Sequence, residues 1–459
     1  METSIDSWRA EGQDDAQRLP LALGALSRTF AVDTTGGRVT LGRFLDEVRG
    51  LAAQLPAGPA VLNLCEDRYR FLLGFCAAAV RGQITLLPPS RAAAAIIDVQ
   101  QRHPGSWCLG DGSVPEGAAG FWRMPDTLPR ADGPVPRIAG EDRVVIGHTS
   151  GSTGAPTANP KHWAGFVAST GQNLAALQDL WSDDAPPTLV VTVPSQHMYG
   201  MEMSVLFPLL TDAVIHCAHP FFPADVAAAL QQASAPRVLV TTPVHLRALV
   251  KAQVALAPLA GIVCSTAPLP LELATAAEAA FGCEVRELFG ATETCITARR
   301  RTARETAWTP LPGVRFIPGN DGATVVAAHL PAPVAIADLI ELLPDGRFEL
   351  RGRKADMIEI AGKRASLGDL TRRLLAIDGV EDAALLQLDA DARGVRRVAA
   401  LVVAPGVGEG ALLEALRPQI DPVFLPRPLR TVARLPRNDT GKLPRAALLA
   451  LLDTPDAQS

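Results

Sequence analysis

Aromatic residues are scarce in this 459-residue chain, with 2 Tyr, 6 Trp and 14 Phe. So few rings leave little platform for stacking single-stranded bases. There is no basic excess either. The 43 Lys and Arg stand against 48 Asp and Glu, a net charge of −5, whereas a general nucleic-acid binder carries a positive surface. A nucleic-acid partner is therefore not expected. Nor is a membrane span: a spanning helix needs about 18 or more apolar residues in a row, and the apolar stretch SVLFPLLTDAVIHCA is broken by Thr211 and Asp212. The N-terminal METSIDSWRAEGQDD is acidic and polar, unlike a secretory leader, so a soluble cytoplasmic protein is expected. The 7 cysteines form no CxxC pair and are odd in number, which reads as small buried thiols in a reducing compartment. His216, Cys217 and His219 lack a companion cluster at ligand spacing, so no metal site is expected there. No internal repeat or low-complexity segment is present.

What the chain does have is length, apolar content and punctuation. At about 150 residues per domain, the length suggests about three folding units. Hydrophobic residues make up 48% and charged residues 20%, a globular composition. The 38 Gly and 38 Pro imply many turns. From about residue 58, short β-rich runs alternate with helical stretches. Strands are expected at 60–64, 83–87, 143–148, 188–193, 237–242 and 261–264. Helices are expected at 66–82, 163–181, 224–235 and 271–281. This alternation predicts parallel α/β layers, and the unbroken apolar strands fit sheets covered on both faces. After about 310 the spacing tightens: 314–317, 323–328, 335–343 and 348–352 read as strands of a small antiparallel unit, with PDGR (344–347) as a turn. From about 354 the order reads β, α, β, β, α, β, a small α+β domain.

The chemistry starts at Thr149-Ser150-Gly151-Ser152-Thr153-Gly154, which follows the strand RVVIGH. A strand that runs into a loop of small residues leaves backbone N–H groups unshielded, and its hydroxyls add donors for phosphate oxygens. Two other loop chemistries are excluded. Neither Gly362-Lys363-Arg364 nor Gly441-Lys442-Leu443 completes a Walker A loop. Gly147-His148-Thr149-Ser150-Gly151 places its serine one position late for a hydrolase elbow.

Other motifs follow the loop in order: His197-Met198-Tyr199-Gly200, Ser265-Thr266-Ala267-Pro268, Phe289-Gly290-Ala291-Thr292-Glu293, Asp338, Gly352-Arg353 and Asn438-Asp439-Thr440-Gly441-Lys442. This ordered series resembles the adenylate-forming superfamily of acyl- and aryl-CoA synthetases, carrier-protein ligases, peptide-synthetase adenylation domains and luciferases, over roughly residues 58–450. The resemblance implies an α/β fold in two parts. A large N-terminal domain (1–353) has layered α/β sheets to about 310 and the small β unit at about 311–353. A smaller, mobile α+β domain (354–459) carries the catalytic lysine. The implied reaction is attack of a carboxylate on the α-phosphate of ATP, giving acyl-AMP and pyrophosphate, after which a thiol displaces AMP. Such chemistry asks the protein to position reactants and stabilise phosphate charge.

The resemblance assigns roles by position. Thr149, Ser150, Gly151, Ser152, Thr153 and Gly154 would hold the β- and γ-phosphates. Lys161 stands in for a lysine that family members place directly after the loop's proline, although Thr157-Ala158-Asn159-Pro160 intervene here. Thr292 would hydrogen-bond the α-phosphate, and Glu293 would bind Mg2+, a hard ion suited to a carboxylate. Ala267 and Pro268 would pack one face of the adenine. Phe289, where the family usually has Tyr, would cover the other, with Gly290 beside it. Asp338 and Arg353 would reach the ribose; an Asp inside an apolar strand otherwise needs a partner. The family hinge falls on Ala355 or Asp356. Lys442 would bridge the substrate carboxylate and the α-phosphate. His197 would gate between ATP and acid, and Gly362 would let a pantetheine arm approach the backbone.

In amino-acid-activating members, an Asp near the HMYG position binds the substrate ammonium. Here Gln196-His197-Met198-Tyr199 is followed by no carboxylate until Glu202, and a buried ammonium would lack its partner. An acid without an α-amino group is therefore expected, held by segments near 195–206, 240–244 and 264–267. The motifs HMYGMEM, GATET followed by RRRT, and AGKRASL are similar to those of compact bacterial ligases that accompany aryl polyene and xanthomonadin-type pigment synthesis. That likeness implies a hydroxybenzoate such as 4-hydroxybenzoate, charged onto the phosphopantetheine of an acyl carrier protein, with coenzyme A as the alternative acceptor. Arg299-Arg300-Arg301 would then face the acidic carrier. A non-catalytic acyl-adenylate-binding regulator is the rival reading, and the oligomeric state is left open.

Overall fold

The computed structural model describes residues 18–113, 116–149, 157–182, 185–353, 356–360, 363–389, 396–437 and 443–453. They fall into two compact units. The larger runs through Glu305 and adds Pro310–Val314 and Ala327–Ala332; the smaller takes Thr306–Thr309, Arg315–Val326 and the chain from Pro333.

Two sheets organise the larger unit. In the first, six strands lie in the order Thr157–His162, Arg143–Thr149, Ile84–Leu87, Ala60–Asn63, Trp107–Gly110 and Phe121–Arg123. All neighbours are parallel except the hairpin of Thr157–His162 with Arg143–Thr149. In the second, of nine strands, the order runs Thr309–Pro310, Cys295–Arg300, Glu284–Ala291, Gly261–Cys264, Arg237–Thr241, Thr188–Val191, Val214–His216, Thr29–Val32 and Arg38–Thr40. Its central strands are parallel, and the pairs Glu284–Ala291/Cys295–Arg300 and Thr29–Val32/Arg38–Thr40 are antiparallel. Thr188–Val191 and Gly261–Cys264 are buried at every residue, as expected for strands covered on both faces. Val190, Leu239, Ile262 and Val285 of this sheet pack with Leu230, Leu246 and Ala274 of the helices Pro223–Gln232, Pro243–Ala252 and Leu271–Phe281.

Helix starts follow local chemistry. Arg68–Val80 begins after Asp67, whose side chain accepts from Arg70 N. Leu41–Gln54 begins after Thr40, which accepts from Arg43 N. Each cap satisfies an amide that has no partner within its helix. The strands and helices expected from 58 to 281 are present, with ends shifted by up to a few residues. The outer strands Thr29–Val32 and Arg38–Thr40 and the helix Leu41–Gln54 lie before the alternation began to be visible. Among the described residues, no helix is long and apolar enough to cross a membrane.

The smaller unit combines β hairpins with an α+β layer. Arg315–Gly319, Gly322–Val326 and Val334–Ile336 form one antiparallel sheet, and Asp338–Leu342 pairs with Phe348–Arg353. The single strand expected at 335–343 is thus two, broken at Ala337, where the chain leaves one sheet for the other. The carbonyl of Ile336 lies against Gly322, at 2.0 Å from where a Cβ would stand, so only glycine fits beside this last residue of the strand. Beyond 356 the described order is β, β, α, β, β, α, β, α, with the hairpin Met357–Ile360/Lys363–Ser366 first and the helix Arg445–Asp453 last. The central strand Val398–Val403 is buried throughout. Val398, Ala400 and Val402 pack with Leu370, Leu374, Leu412 and Leu416, while Ala399, Leu401 and Val403 pack with Leu448 and Leu452. This is the two-residue alternation of a strand with a helix layer on each side.

Candidate active site

In the larger unit, three of the expected segments meet. The strand Arg143–Thr149 delivers the chain to the Ser/Thr/Gly loop. Within it, Gly147 has no room for a side chain: a Cβ would stand 2.9 Å from Thr292 Cγ2 and 3.4 Å from Met198 Cε. The base of the loop, the Thr292–Glu293 turn and the HMYG helix therefore converge on one glycine. Ser150 to Gly154 themselves lie outside the described residues, as do Gly362, Ala355 and Lys442. Thr149 closes the strand, opposite Thr157 in the hairpin.

The Thr292–Glu293 turn joins Glu284–Ala291 to Cys295–Arg300. Thr294 Oγ1 accepts from Ala291 N at 3.2 Å, and Thr294 N donates to Ala291 O at 3.2 Å. His329 Nε2 donates to Thr294 O at 2.8 Å. Gly290 is required, because a Cβ would lie 2.3 Å from Cys295 O. Cys295 holds a positive φ of 60°, uncommon outside glycine. Thr292 and Glu293 are half-buried at the tip. Lys161, from the neighbouring hairpin strand, is buried and donates through Nζ to the carbonyl of Glu293 at 2.6 Å. Its ammonium thus braces the turn.

His197 caps the short helix Met198–Met201, its carbonyl accepting from Met201 N at 2.6 Å. Gly200 allows the preceding turn, since a Cβ would lie 2.0 Å from Pro194 O. Tyr199 is buried and donates its hydroxyl to Val263 O at 3.0 Å. A network not foreseen from sequence supports this segment. Buried Arg68 donates to Ser195 Oγ at 3.1 Å and to the carbonyls of Val191 and Val193 at 2.8 and 3.2 Å. Ser195 Oγ contacts Ser204 Oγ at 3.0 Å, and Ser204 donates to Gly200 O at 2.7 Å. Burial lowers the Arg68 guanidinium to about 10. Arg68 opens a helix far away in sequence, and only its burial marks it.

Glu202 was weighed in the sequence only as a carboxylate too far on to bind an ammonium. It is 2% exposed. Its Oε1 accepts from Ser169 Oγ at 3.0 Å, Asn173 Nδ2 at 3.2 Å and Ile296 N at 3.1 Å. Burial raises its carboxyl above the usual range, while these three donors and the charge of Lys161 act in the opposite direction.

The adenine candidates lie at the ends of adjacent parallel strands. Ala267 and Pro268 follow Gly261–Cys264, and Phe289 and Gly290 are near the end of Glu284–Ala291. Ser265 Oγ donates to Leu288 O at 2.8 Å and ties the two together. Thr266 has a φ of 86°, and its buried hydroxyl has no partner among the described residues. A strained backbone and an orphaned hydroxyl in one loop suit a bound polar ligand. In the smaller unit, Asp338 and Arg353 are register partners across a hairpin. Asp338 is half-buried at the start of its strand rather than embedded within it.

The remaining candidates are accounted for internally. Arg300 pairs with Glu287, and Arg301 pairs with Glu278 and Glu284. His216 Nδ1 accepts from Ala218 N, and its Nε2 contacts Gln232 Oε1 at 3.1 Å. All seven cysteines are free.

A layered α/β unit in which the strand leading to the Ser/Thr/Gly segment meets a Thr–Glu turn at Gly147, together with the matches below, defines a class: an adenylate-forming acid–thiol ligase, which uses ATP to activate a carboxylic acid. Comparison gives the family directly. Residues 25–329 match the model of the AMP-binding enzyme family, and the chain belongs to that family. It is similar to 4-coumarate–CoA ligase of Rhodobacter capsulatus, 30% identical over 307 residues, covering 66% of this chain and 75% of that protein. It also resembles part of bacitracin synthase 3 of Bacillus licheniformis, 31% identical over 111 residues, which make up 24% of this chain and 2% of that much longer protein. Its fold is shared with ATP-bound MatB of Rhodopseudomonas palustris, with a TM-score of 0.79 at 18% identity, covering 94% of this chain and 96% of that one.

Proposed function

We propose that the enzyme activates an aryl acid without an α-amino group, a hydroxybenzoate such as 4-hydroxybenzoate, and transfers it to the phosphopantetheine thiol of an acyl carrier protein. The observation that carries the choice of acid is the state of Glu202. It is the sole carboxylate between Pro194 and Leu206, and its Oε1 already accepts three protein hydrogen bonds. At 2% exposure and turned to these donors, Glu202 is not presented to a bound ligand, so a substrate ammonium would lack a partner in that segment, and an unpaired buried charge is strongly disfavoured. Similarity to a protein named 4-coumarate–CoA ligase supports an aromatic acid and keeps coenzyme A as the alternative acceptor.

In this reading the substrate is ATP with its own Mg2+. Glu293, a half-buried carboxylate at the turn tip, fits a hard oxygen-seeking ion. Mg2+ would neutralise charge on the phosphates. Thr149 to Gly154 would hold the β- and γ-phosphates, Thr292 would donate to an α-phosphate oxygen, and Lys161 would act through the turn whose Glu293 carbonyl it holds. Ala267, Pro268 and Phe289 would enclose the adenine, while Asp338 and Arg353 would take the ribose hydroxyls. His197 would close the passage between acid and ATP. Lys442, in the part of the chain from 354 onward that we assign as the smaller, mobile domain, would neutralise charge as the carboxylate oxygen bonds to phosphorus and pyrophosphate leaves. The thiolate then attacks the acyl carbon, and AMP departs with the bridging oxygen; Gly362 would let the thiol arm approach.

Acid-dependent ATP–pyrophosphate exchange against a panel of benzoates, cinnamates, fatty acids and amino acids tests the choice of acid. Hydroxybenzoates should support the highest kcat/KM; exchange driven by amino acids alone would refute it. Offering carrier protein and coenzyme A to the preformed adenylate tests the acceptor, and a strong preference for coenzyme A would overturn the carrier. With Arg300 and Arg301 tied to internal carboxylates, the salt sensitivity of transfer should come mainly from other cations.

A further inference from the structure

Glu202 is more than a satisfied core carboxylate, because of what its three donors belong to. Ser169 and Asn173 lie four residues apart on the helix Trp163–Leu177, so they present one face. Ile296 N belongs to the strand that leaves the Thr292–Glu293 turn, and Ile296 is the register partner of Gly290 on the strand that enters it. Glu202 itself opens a π-helical stretch, Glu202–Leu206, that continues directly from Met198–Met201. Single π turns are rare and gather at functional sites. The same segment starts at His197. One buried side chain therefore links the backbone of the acid-side segment to the backbone of the phosphate-side turn, and Lys161, whose charge also acts on Glu202, holds that turn through Glu293 O.

We propose that Glu202 is a positioning residue that sets the spacing between the acid-binding segment His197–Gly200 and the phosphate-binding turn Thr292–Glu293. It touches neither substrate. The inference rests on the roles given above to His197, Thr292 and Glu293. Each substrate is bound by its own segment, so a change at Glu202 leaves the two binding events largely intact. It alters the distance between the carboxylate and the α-phosphate once both are bound. A misplacement of about 1 Å in such a pair costs about 100-fold in rate.

The test uses the full-length enzyme, with active sites counted by the stoichiometric burst of acyl-AMP. Glu202→Asp withdraws the carboxylate by one methylene, and Glu202→Gln keeps an oxygen acceptor at the same reach. Glu202→Asp should lower kcat per active site for pyrophosphate exchange by about 10- to 100-fold, with KM for ATP and for the acid each within about threefold of wild type. Glu202→Gln should recover most of that loss. A purely structural role would instead lower the number of active sites or raise both KM values at constant kcat per site, and either pattern overturns the proposal. Wild-type kcat in Glu202→Asp does the same. Thr292→Ala and Glu293→Gln run beside them. If both retain full exchange, the site assignment fails; if both are impaired while Glu202→Asp is not, only the spacing role of Glu202 fails.

Discussion

Replacing Gly147 with alanine tests the convergence at the site with a single methyl group. The new Cβ would lie 2.9 Å from Thr292 Cγ2 and 3.4 Å from Met198 Cε. Non-bonded carbons settle at about 3.5–4.0 Å, so the Thr292 methyl must retreat by about 0.6–1.1 Å. The strand that carries Gly147 is held on both sides, with Asn159 as register partner on one and Leu87 on the other. Thr292 sits half-buried on a turn, so it yields first, and its hydroxyl moves with its methyl. Overpacking of this kind costs about 1–3 kcal/mol of stability, which leaves the protein folded. The functional cost is larger: a displacement near 1 Å at a group that must meet the α-phosphate should lower acid-dependent pyrophosphate exchange by about 10- to 100-fold. Gly410→Ala is the control, since nothing lies within 4 Å of its Cβ position, and it should exchange at the wild-type rate. Thermal melts show that both variants are folded. Wild-type exchange by Gly147→Ala would refute the placement of Thr292 at the reacting phosphate.

Lys442→Ala should cut adenylate formation by about 100- to 1,000-fold, the loss of one charge on a developing oxyanion, while thioester formation from supplied acyl-AMP suffers less; equal losses in both half-reactions would contradict this. Glu293→Gln keeps size and removes charge, so exchange should demand more Mg2+, and an unchanged Mg2+ titration rejects the ligand role. Stability should also fall in acid. Burial holds the imidazoles of His148, His216 and His329 below their ordinary value of 6.5, and His148 Nε2 lies 3.1 Å from His103 Nε2, a contact that two charged rings would not tolerate. The unfolded chain takes up these protons first, so stability is full above about pH 6.5 and declines as pH falls below it. Tm measured from pH 8 to 5 should be level and then drop; a rise on acidification would be the wrong sign.

Local chemistry alone determined much of this protein. Apolar runs such as Thr188–Val191 and Gly261–Cys264 were legible as strands because a strand covered on both faces needs no polar alternation. The helix expected at 66–82 was legible through its apolar body; that Asp67 caps it, so that it begins at Arg68, came from the structure. Thr292, Glu293 and His197 could be singled out as candidates because their motifs are short and contiguous. Tertiary structure decided the rest. That Ile296, Ser169, Asn173 and Glu202 meet depends on packing a helix against a sheet, and no spacing along the chain encodes it. Lys161 bracing the Glu293 carbonyl follows from a hairpin, Thr157–His162 with Arg143–Thr149, whose outer strand TANPKH is too polar to show an apolar period. Nothing along the chain singled out Arg68, which burial places among the carbonyls of Val191 and Val193. The break at Ala337 was hidden for the same reason: β propensity runs unbroken through AIADLIELL, and only the choice of partner strand divides it. Sequence sets what each segment prefers; which distant groups become hydrogen-bond partners is settled when burial removes water and leaves each polar atom in need of one.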